Sequence, residues 1–300
     1  MDEREWLVEC FEEHRPHLKA VAYRMLGSLA EADDAVQDAW LRVSRSGADG
    51  VENVRAWLTR VVARVCLNAL RARNGRREEP IGAHLPDPIV SLDDDVNPEH
   101  AVLLADAVGL ALQVVLETLA PPERLAFVLH DMFDVPFDEI APLVGCSAEA
   151  ARQMASRARR RVRSSAPLPD AELVAQRRVV DAFIAAAREG NLQGLIAVLD
   201  PNVVSHAVAD PAHPERTMVL RGAETVARGV LGGARTRPTG VLRPALVNGA
   251  AGLVLIDEGQ PQALWGFTVA GGRIVQIDMI RDPERLRRLG LAQGGEAIGG

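Results

Sequence analysis

Apolar residues recur at helical spacing from the start of the chain: Trp6, Cys10, Leu18, Val21, Ala22, Met25 and Leu26 fall on one face, and Gly27-Ser28 breaks the run. A second helix is predicted over about 30–45, burying Val36, Trp40 and Val43. The loop Ser44–Glu52 then leads into a long helix from about 54 to 73, so residues 4–77 read as one helical domain. Periodicity lapses over 78–105, where prolines and the triplet Asp93, Asp94, Asp95 predict a linker rather than a packed element. Helical spacing returns at about 99–118, after Pro121-Pro122 through Leu125, Val128, Leu129 and Met132, at 138–144, and in an Arg-rich helix from Ser147. These give a second helical domain over 106–165. Past Pro167 the period changes. A helix at about 171–188 runs to Gly190-Asn191, and alternation over 252–257, 263–269 and 273–280 predicts strands of an antiparallel meander, with Gly271-Gly272 as a hairpin turn. The predicted architecture is multidomain: two all-α domains followed by an α+β domain over 171–290.

Composition adds exclusions. Of 300 residues, 48% are hydrophobic and 25% charged, a globular balance. No apolar run approaches the roughly 20 residues that a membrane helix needs, and no secretory leader pattern opens the chain. The three cysteines, Cys10, Cys66 and Cys146, are odd in number and form no CxxC pair, which disfavours a disulfide framework or a structural zinc and points to a reducing cytoplasm. No metal or cofactor is expected.

Charge changes the picture more. The net charge of −7 conceals alternating blocks: −6 over residues 1–38, +7 over 39–77, −13 over 78–146 and +5 over 147–163, with the remainder neutral. Such blocks can hold phosphates and basic partners at separate places while the total stays modest.

Residues 137–163, FDEIAPLVGCSAEAARQMASRARRRVR, carry the strongest motif. Asp138 is placed to cap the short helix, Pro142 falls in its first turn, Gly145 supplies a permissive turn, and Ser147 can cap the next helix. There Ala151, Met154, Ala155, Ala158 and Val162 form an apolar stripe, so that Arg152, Gln153, Ser156, Arg157 and Arg160 point outward. Small residues inside let two helices approach, and long donors outside reach phosphates and base edges in a major groove. The alternative is an αα-hairpin with a solvated basic face; six arginines behind a Gly-x-Ser turn favour DNA.

Upstream, Asp34, Asp38, Leu41 and Gln37 share a stripe opposite Val36, Trp40 and Val43. An acidic face with an exposed Leu suits docking onto a basic helical partner. In the following segment Arg60, Arg64, Arg71 and Arg73 line an accessible face, and Trp57 is either core or a platform for an unpaired base.

The ordered blocks RMLGSLAEADDAVQDAWLRV, RAWLTRVVARVCLNALRAR and LAPPERLAFVLHDMFDVPFDEIAPLVGCSAEAARQMASRARRRVR resemble regions 2 and 4 of an extracytoplasmic-function (ECF) sigma factor, the promoter-recognition subunit of bacterial RNA polymerase. The resemblance implies that Asp33, Asp34, Gln37, Asp38 and Leu41 meet the clamp helices of core polymerase, with region 4 at its flap. It implies that Asn53, Arg55, Trp57, Arg60, Arg64, Asn68, Arg71 and Arg73 read and hold open the −10 element, and that Ser147, Arg152, Gln153, Ser156, Arg157 and Arg160 read the −35 element. The acidic linker could mimic nucleic acid in a basic channel of the polymerase.

The remaining 135 or so positions resemble the SnoaL-like branch of the NTF2-like fold, in which a curved sheet and helices enclose a cone-shaped pocket; residues 171–210, 220–231 and the strands from Leu253 to Ile280 carry the likeness. A subgroup of ECF sigma factors has this extension with a Leu-Pro-acid-Pro motif in the linker and an Asn-Pro-acid-basic-Leu motif near the end. His84-Leu85-Pro86-Asp87-Pro88, Arg281-Asp282-Pro283-Glu284-Arg285-Leu286 and Val247-Asn248-Gly249 are similar, whereas DPAHPERTMVL at 210–220 departs from the relatives' Gly-rich turn. His206, Asp257, Trp265 and Asp278 are candidate pocket residues, with Asp282 and Pro283 as further contacts.

The expectation is a cytoplasmic sigma factor that binds core polymerase and promoter DNA, does no covalent chemistry and touches no membrane. Its fused domain would modulate activity in place of an obligatory anti-sigma partner, and a small ligand for that domain is left open. The alternatives are a dimeric helix–turn–helix regulator with an effector-binding domain, which would have no need of the Asp33–Leu41 stripe, and a SnoaL-type cyclase with a DNA-binding leader.

Overall fold

A computed structural model describes residues 3–46, 51, 53–74, 85–92, 110–165, 170, 172–208, 217–235, 240–289 and 291. The chain divides into two compact units, Met1–Ile81 with Gln113–Ala166, and Gly82–Leu112 with Pro167–Gly300. The triplet Asp93–Asp95, Pro167 and most of the 210–220 segment lie outside the described residues, as does the first part of the helix expected at 99–118.

In the first unit α1 (Glu3–Leu26), α2 (Leu29–Ser46) and α3 (Val54–Asn74) form a bundle whose apolar stripes meet in a core of Phe11, Leu18, Met25, Val36, Leu58 and Leu67. Gly27, at φ 76°, ends α1 where the sequence pattern breaks. Phe11 packs on Trp40 with ring centroids 5.0 Å apart. The second helical set comprises α4 (Leu110–Glu117), α5 (Pro121–Phe127), a π-helical turn (Val128–Met132), α6 (Phe137–Val144) and α7 (Ala148–Ser165). The prolines expected to precede α5 are its first two helical residues, where a missing N–H costs nothing. Arg124 is buried and ties the two sets together: Nη1 donates to the Met25 carbonyl at 2.9 Å and to Glu117 Oε1 at 3.0 Å, while Nη2 meets Glu117 Oε2 at 3.3 Å.

The second unit is built on one mixed sheet, ordered β1-β4-β5-β6-β7-β2-β3, from β1 (Val90–Leu92), β2 (Leu199–Val208), β3 (Met218–Arg221), β4 (Val241–Val247), β5 (Ala250–Asp257), β6 (Gln260–Ala270) and β7 (Arg273–Ile280). The expected meander is present from β4 to β7, but β2 joins β7 in parallel, so the sheet is not purely antiparallel. Gly271 and Gly272 both have positive φ, as a two-residue primed turn requires. Helices α8 (Leu173–Glu189), α9 (Leu192–Val198) and α10 (Ala223–Arg235) cover one face, where Val180, Phe183, Leu195 and Val226 pack on Val203, Leu253, Phe267 and Ile277. A short α11 (Pro283–Arg288) is the last helix of the described residues.

Part of the expected linker is a packed element. Leu85, Pro86 and Pro88–Leu92 are buried, and Val90 and Leu92 pair with Val247 and Ala245 of β4. The proline-rich composition hid this because an edge strand of three residues is too short to show alternation, and prolines are tolerated beside an edge.

Candidate nucleic-acid interface

The turn between α6 and α7 has the expected chemistry. Gly145 adopts φ 78°, and its N–H donates to the Ala141 carbonyl at 2.9 Å. Ser147 Oγ accepts from the Ala150 N–H at 3.2 Å and caps α7. Two expectations fail. Pro136, not Asp138, is the N-cap of α6, and Asp138 lies in its first turn. Pro142 sits at the sixth helical position, so the Asp138 carbonyl lacks its usual helical donor.

On α7 the alanines 151, 155 and 158 are fully buried against the neighbouring helices, and Met154 and Val162 are partly buried. Arg152, Gln153, Ser156, Arg157 and Arg160 are exposed together on the other side. Arg152 pairs with Glu149 at 2.6 Å and lies over the Phe137 ring, and Arg157 pairs with Glu123 at 2.8 Å. Arg160 makes no ion pair among the described residues. Exposed pairs of this kind contribute little to stability, so these guanidiniums can exchange partners at small cost.

On α3, Asn53 Oδ1 caps the helix by accepting from the Ala56 N–H at 3.0 Å. Arg55, Arg64, Asn68 and Arg71 are exposed, Trp57 is partly buried, and Arg60 lies 3.8 Å from Glu139. Arg73 behaves otherwise than expected: it reaches the Leu26 carbonyl at 3.4 Å and pairs with Glu31, satisfying the C-terminal end of α1. On α2, Asp33, Asp34, Gln37, Asp38 and Leu41 are all exposed, opposite the buried Ala32, Ala35, Val36, Ala39 and Val43. Leu41 is 44% exposed; Asp33 pairs with Lys19 at 2.8 Å.

In the second unit the expected pocket residues are divided. His206 Nδ1 lies 2.9 Å from Asp278 Oδ1, and Gln276 Nε2 donates to both oxygens of that buried carboxylate. His206, Asp278 and Gly266 fall in register, hence on one face of the sheet. Trp265, the next residue, points to the helix-covered face and packs with the core there, because side chains alternate along a strand. Asp282 and Pro283 serve α11 itself: Asp282 Oδ1 accepts from the N–H groups of Glu284 and Arg285, and Pro283 is the first helical residue.

That cap aims a residue which the motif contained but the site assignment omitted. The buried Arg285 reaches Asp87 Oδ1 from Nε at 2.8 Å and Nη2 at 2.7 Å, and Nη2 donates to the Leu85 carbonyl at 2.6 Å. Asn248, at φ 50° in the β4–β5 turn, accepts at Oδ1 from the Ile89 N–H at 2.6 Å, while its own N–H donates to the Ile89 carbonyl at 2.8 Å. Two clamps therefore hold residues 85–89. Among the described residues no cluster of three metal-ligating side chains occurs, and no helix is long and apolar enough to cross a membrane.

Residues 10–76 match Sigma-70 region 2, and residues 109–162 match Sigma-70, region 4. The chain is 39% identical over 289 residues to the ECF RNA polymerase sigma factor SigJ of Mycobacterium tuberculosis, covering 92% of this chain and 91% of that one. It is 34% identical over 285 residues to the probable ECF RNA polymerase sigma factor SigI of the same species, covering 94% and 95%. The crystal structure of Mycobacterium tuberculosis SigJ is similar with a TM-score of 0.75 at 35% identity, covering 93% of this chain and 98% of that one.

Proposed function

The chain belongs to the ECF sigma factors of RNA polymerase, and we propose that it works through three separate surfaces under control of its C-terminal domain. The acidic α2 stripe of Asp33, Asp34, Gln37, Asp38 and Leu41 docks on the clamp helices of core polymerase. The α3 face from Asn53 to Arg71 takes the opened −10 element, and the α7 face from Ser147 to Arg160 reads the −35 element in its major groove. It acts by binding and strand separation, without covalent chemistry. The observation that carries this reading is the α7 face, where five candidate side chains stand exposed behind a stripe of fully buried alanines.

The two DNA faces belong to one compact unit. Elements centred about 25 base pairs apart lie about 85 Å apart on B-DNA, whereas a compact unit of this size has a radius of gyration of about 14 Å. Region 2 and region 4 must therefore part to engage both. Residues 85–89 of the segment that joins them are held by Arg285 and Asn248 of the C-terminal domain, and these contacts support control of the opening by that domain. Its role is regulatory on this reading, and a small ligand would act by shifting the balance between closed and open states.

In vitro transcription from a genomic library with purified core polymerase tests the proposal, using the full chain and a truncation after Pro167. Promoter-dependent starts that require this chain support the sigma assignment, and a change in strength on truncation supports the control. Identical transcription from both forms, at every ligand tested, overturns the regulatory role.

A further inference from the structure

Arg55 is the terminus and the origin of a closed hydrogen-bond ring. Its Nη2 donates to His17 Nδ1 at 3.1 Å. The His17 Nε2 lies 3.0 Å from Thr59 Oγ1, and that hydroxyl donates to the main-chain carbonyl of Arg55 at 2.8 Å. Since the Thr59 proton is committed to the carbonyl, the hydroxyl oxygen must accept from His17 Nε2–H. Nδ1 then carries the lone pair that receives Arg55, so the ring is closed only by a neutral imidazole in the Nε2–H form. Thr59 is buried, and the His17 ring stands edge-on to Phe133 at 5.2 Å and 89°, which fixes the plane of the imidazole.

We infer that His17 is a positioning residue for promoter opening: it pre-orders Arg55 for the −10 strand. This rests on the assignment of Arg55 to the −10 face. An arginine free to rotate loses side-chain entropy when it grips a phosphate or a base edge, a penalty of roughly twofold to tenfold in the equilibrium for a side chain of this kind. Here the histidine uses one of five guanidinium N–H groups and leaves four for nucleic acid. Arg55 remains exposed, so the anchored group is presented rather than hidden. The exposed Arg64 and Arg71 have no such ring among the described residues.

The test is a double-mutant cycle in the full chain bound to core polymerase. The probe is a promoter duplex recovered from the library transcription, carrying 2-aminopurine in its −10 element, and the readout is the rate of opening. His17→Phe keeps a ring against Phe133 and removes both nitrogens; His17→Asn keeps an acceptor near the place of Nδ1. We expect Arg55→Ala to slow opening about tenfold and His17→Phe about threefold to fivefold, with His17→Asn restoring most of the rate. In the Arg55→Ala background His17→Phe should have no further effect. Binding to a −35 duplex and the thermal midpoint serve as folding controls. Wild-type opening by His17→Phe overturns the inference, as does an equal slowing with or without Arg55, or a failure of His17→Asn to rescue. If Arg55→Ala itself opens normally, the −10 assignment of Arg55 is what fails, and the positioning role falls with it.

Discussion

Arg285 closes on Asp87 across 198 positions of sequence, with Nη2 and Oδ1 2.7 Å apart and the arginine side chain only 6% exposed. A desolvated guanidinium left without its carboxylate is costly, so the two single variants should not be equivalent to the pair. Arg285→Ala removes the charge, the Leu85 contact and the packing; Asp87→Ala strands the arginine. Each is expected to destabilise the C-terminal unit by about 3 kcal/mol, and the double variant by much less than the sum. Amide exchange of β5, β6 and β7 in rising denaturant measures the cycle. Amide exchange at Val90–Leu92 should rise in each single variant, because β1 is held at the sheet edge by the same segment.

That clamp also shows where sequence reading stops. The first helical bundle was legible because the stripes of α1, α2 and α3 repeat over four or more turns, and the α7 face was legible because small buried residues and long basic ones segregate cleanly. Gly145, Ser147 and Gly271-Gly272 announce their turns by residue type. The β1 strand is three residues long among prolines, and its partner β4 lies some 150 positions away, so nothing local predicts the pairing. Arg73 looked like its neighbours on α3 but turns to the end of α1, a choice made by tertiary packing. His206 and Trp265 share a composition suited to a pocket, and only the register shows that they face opposite sides of the sheet.

Cys66 offers a probe of unfolding in the first helical bundle. Its thiol is fully buried in α3, and desolvation pushes its pKa up to about 12, whereas Cys10, raised in the same direction by burial and by Glu13 and Glu9, is partly exposed. At pH 8 a thiol reagent should label Cys10 and Cys146 in the native chain and reach Cys66 only after unfolding. A thiol whose folded pKa is raised loses stabilisation as pH climbs above the unfolded value of about 8.5. Mass spectrometry of pulse-labelled chains in rising denaturant checks the labelling, and denaturation midpoints compared at about pH 8 and about pH 10, either side of the unfolded value, check the linkage; prompt native labelling of Cys66 would contradict its burial.

Gly145 should be replaceable only at the expense of the turn. A Cβ there meets nothing within 4 Å, so the penalty of Gly145→Ala is purely that of φ 78°. An L-residue in that conformation costs about 1–2 kcal/mol, and Gly145→Asn, whose side chain tolerates it, should cost less. Thermal midpoints of the three chains should rank Gly, Asn, Ala from most to least stable, while −35 duplex affinity, measured well below those midpoints, changes little.

The polymerase-docking stripe separates charge from packing. Asp34 and Asp38 are exposed on α2 and take no part in its buried face, so Asp34→Arg with Asp38→Arg should leave the helical content intact. If the stripe meets basic clamp helices, reversing two charges replaces attraction by like-charge contact, and capture of core polymerase should fall by at least tenfold, about 1.4 kcal/mol. Leu41→Asp should weaken capture further, because an apolar anchor near the centre of such a contact contributes more than its charged surround. Affinity of the same variants for an isolated −35 duplex should be unchanged, which assigns the loss to the protein partner. Retention of full polymerase binding by the doubly reversed chain would move the docking surface away from α2.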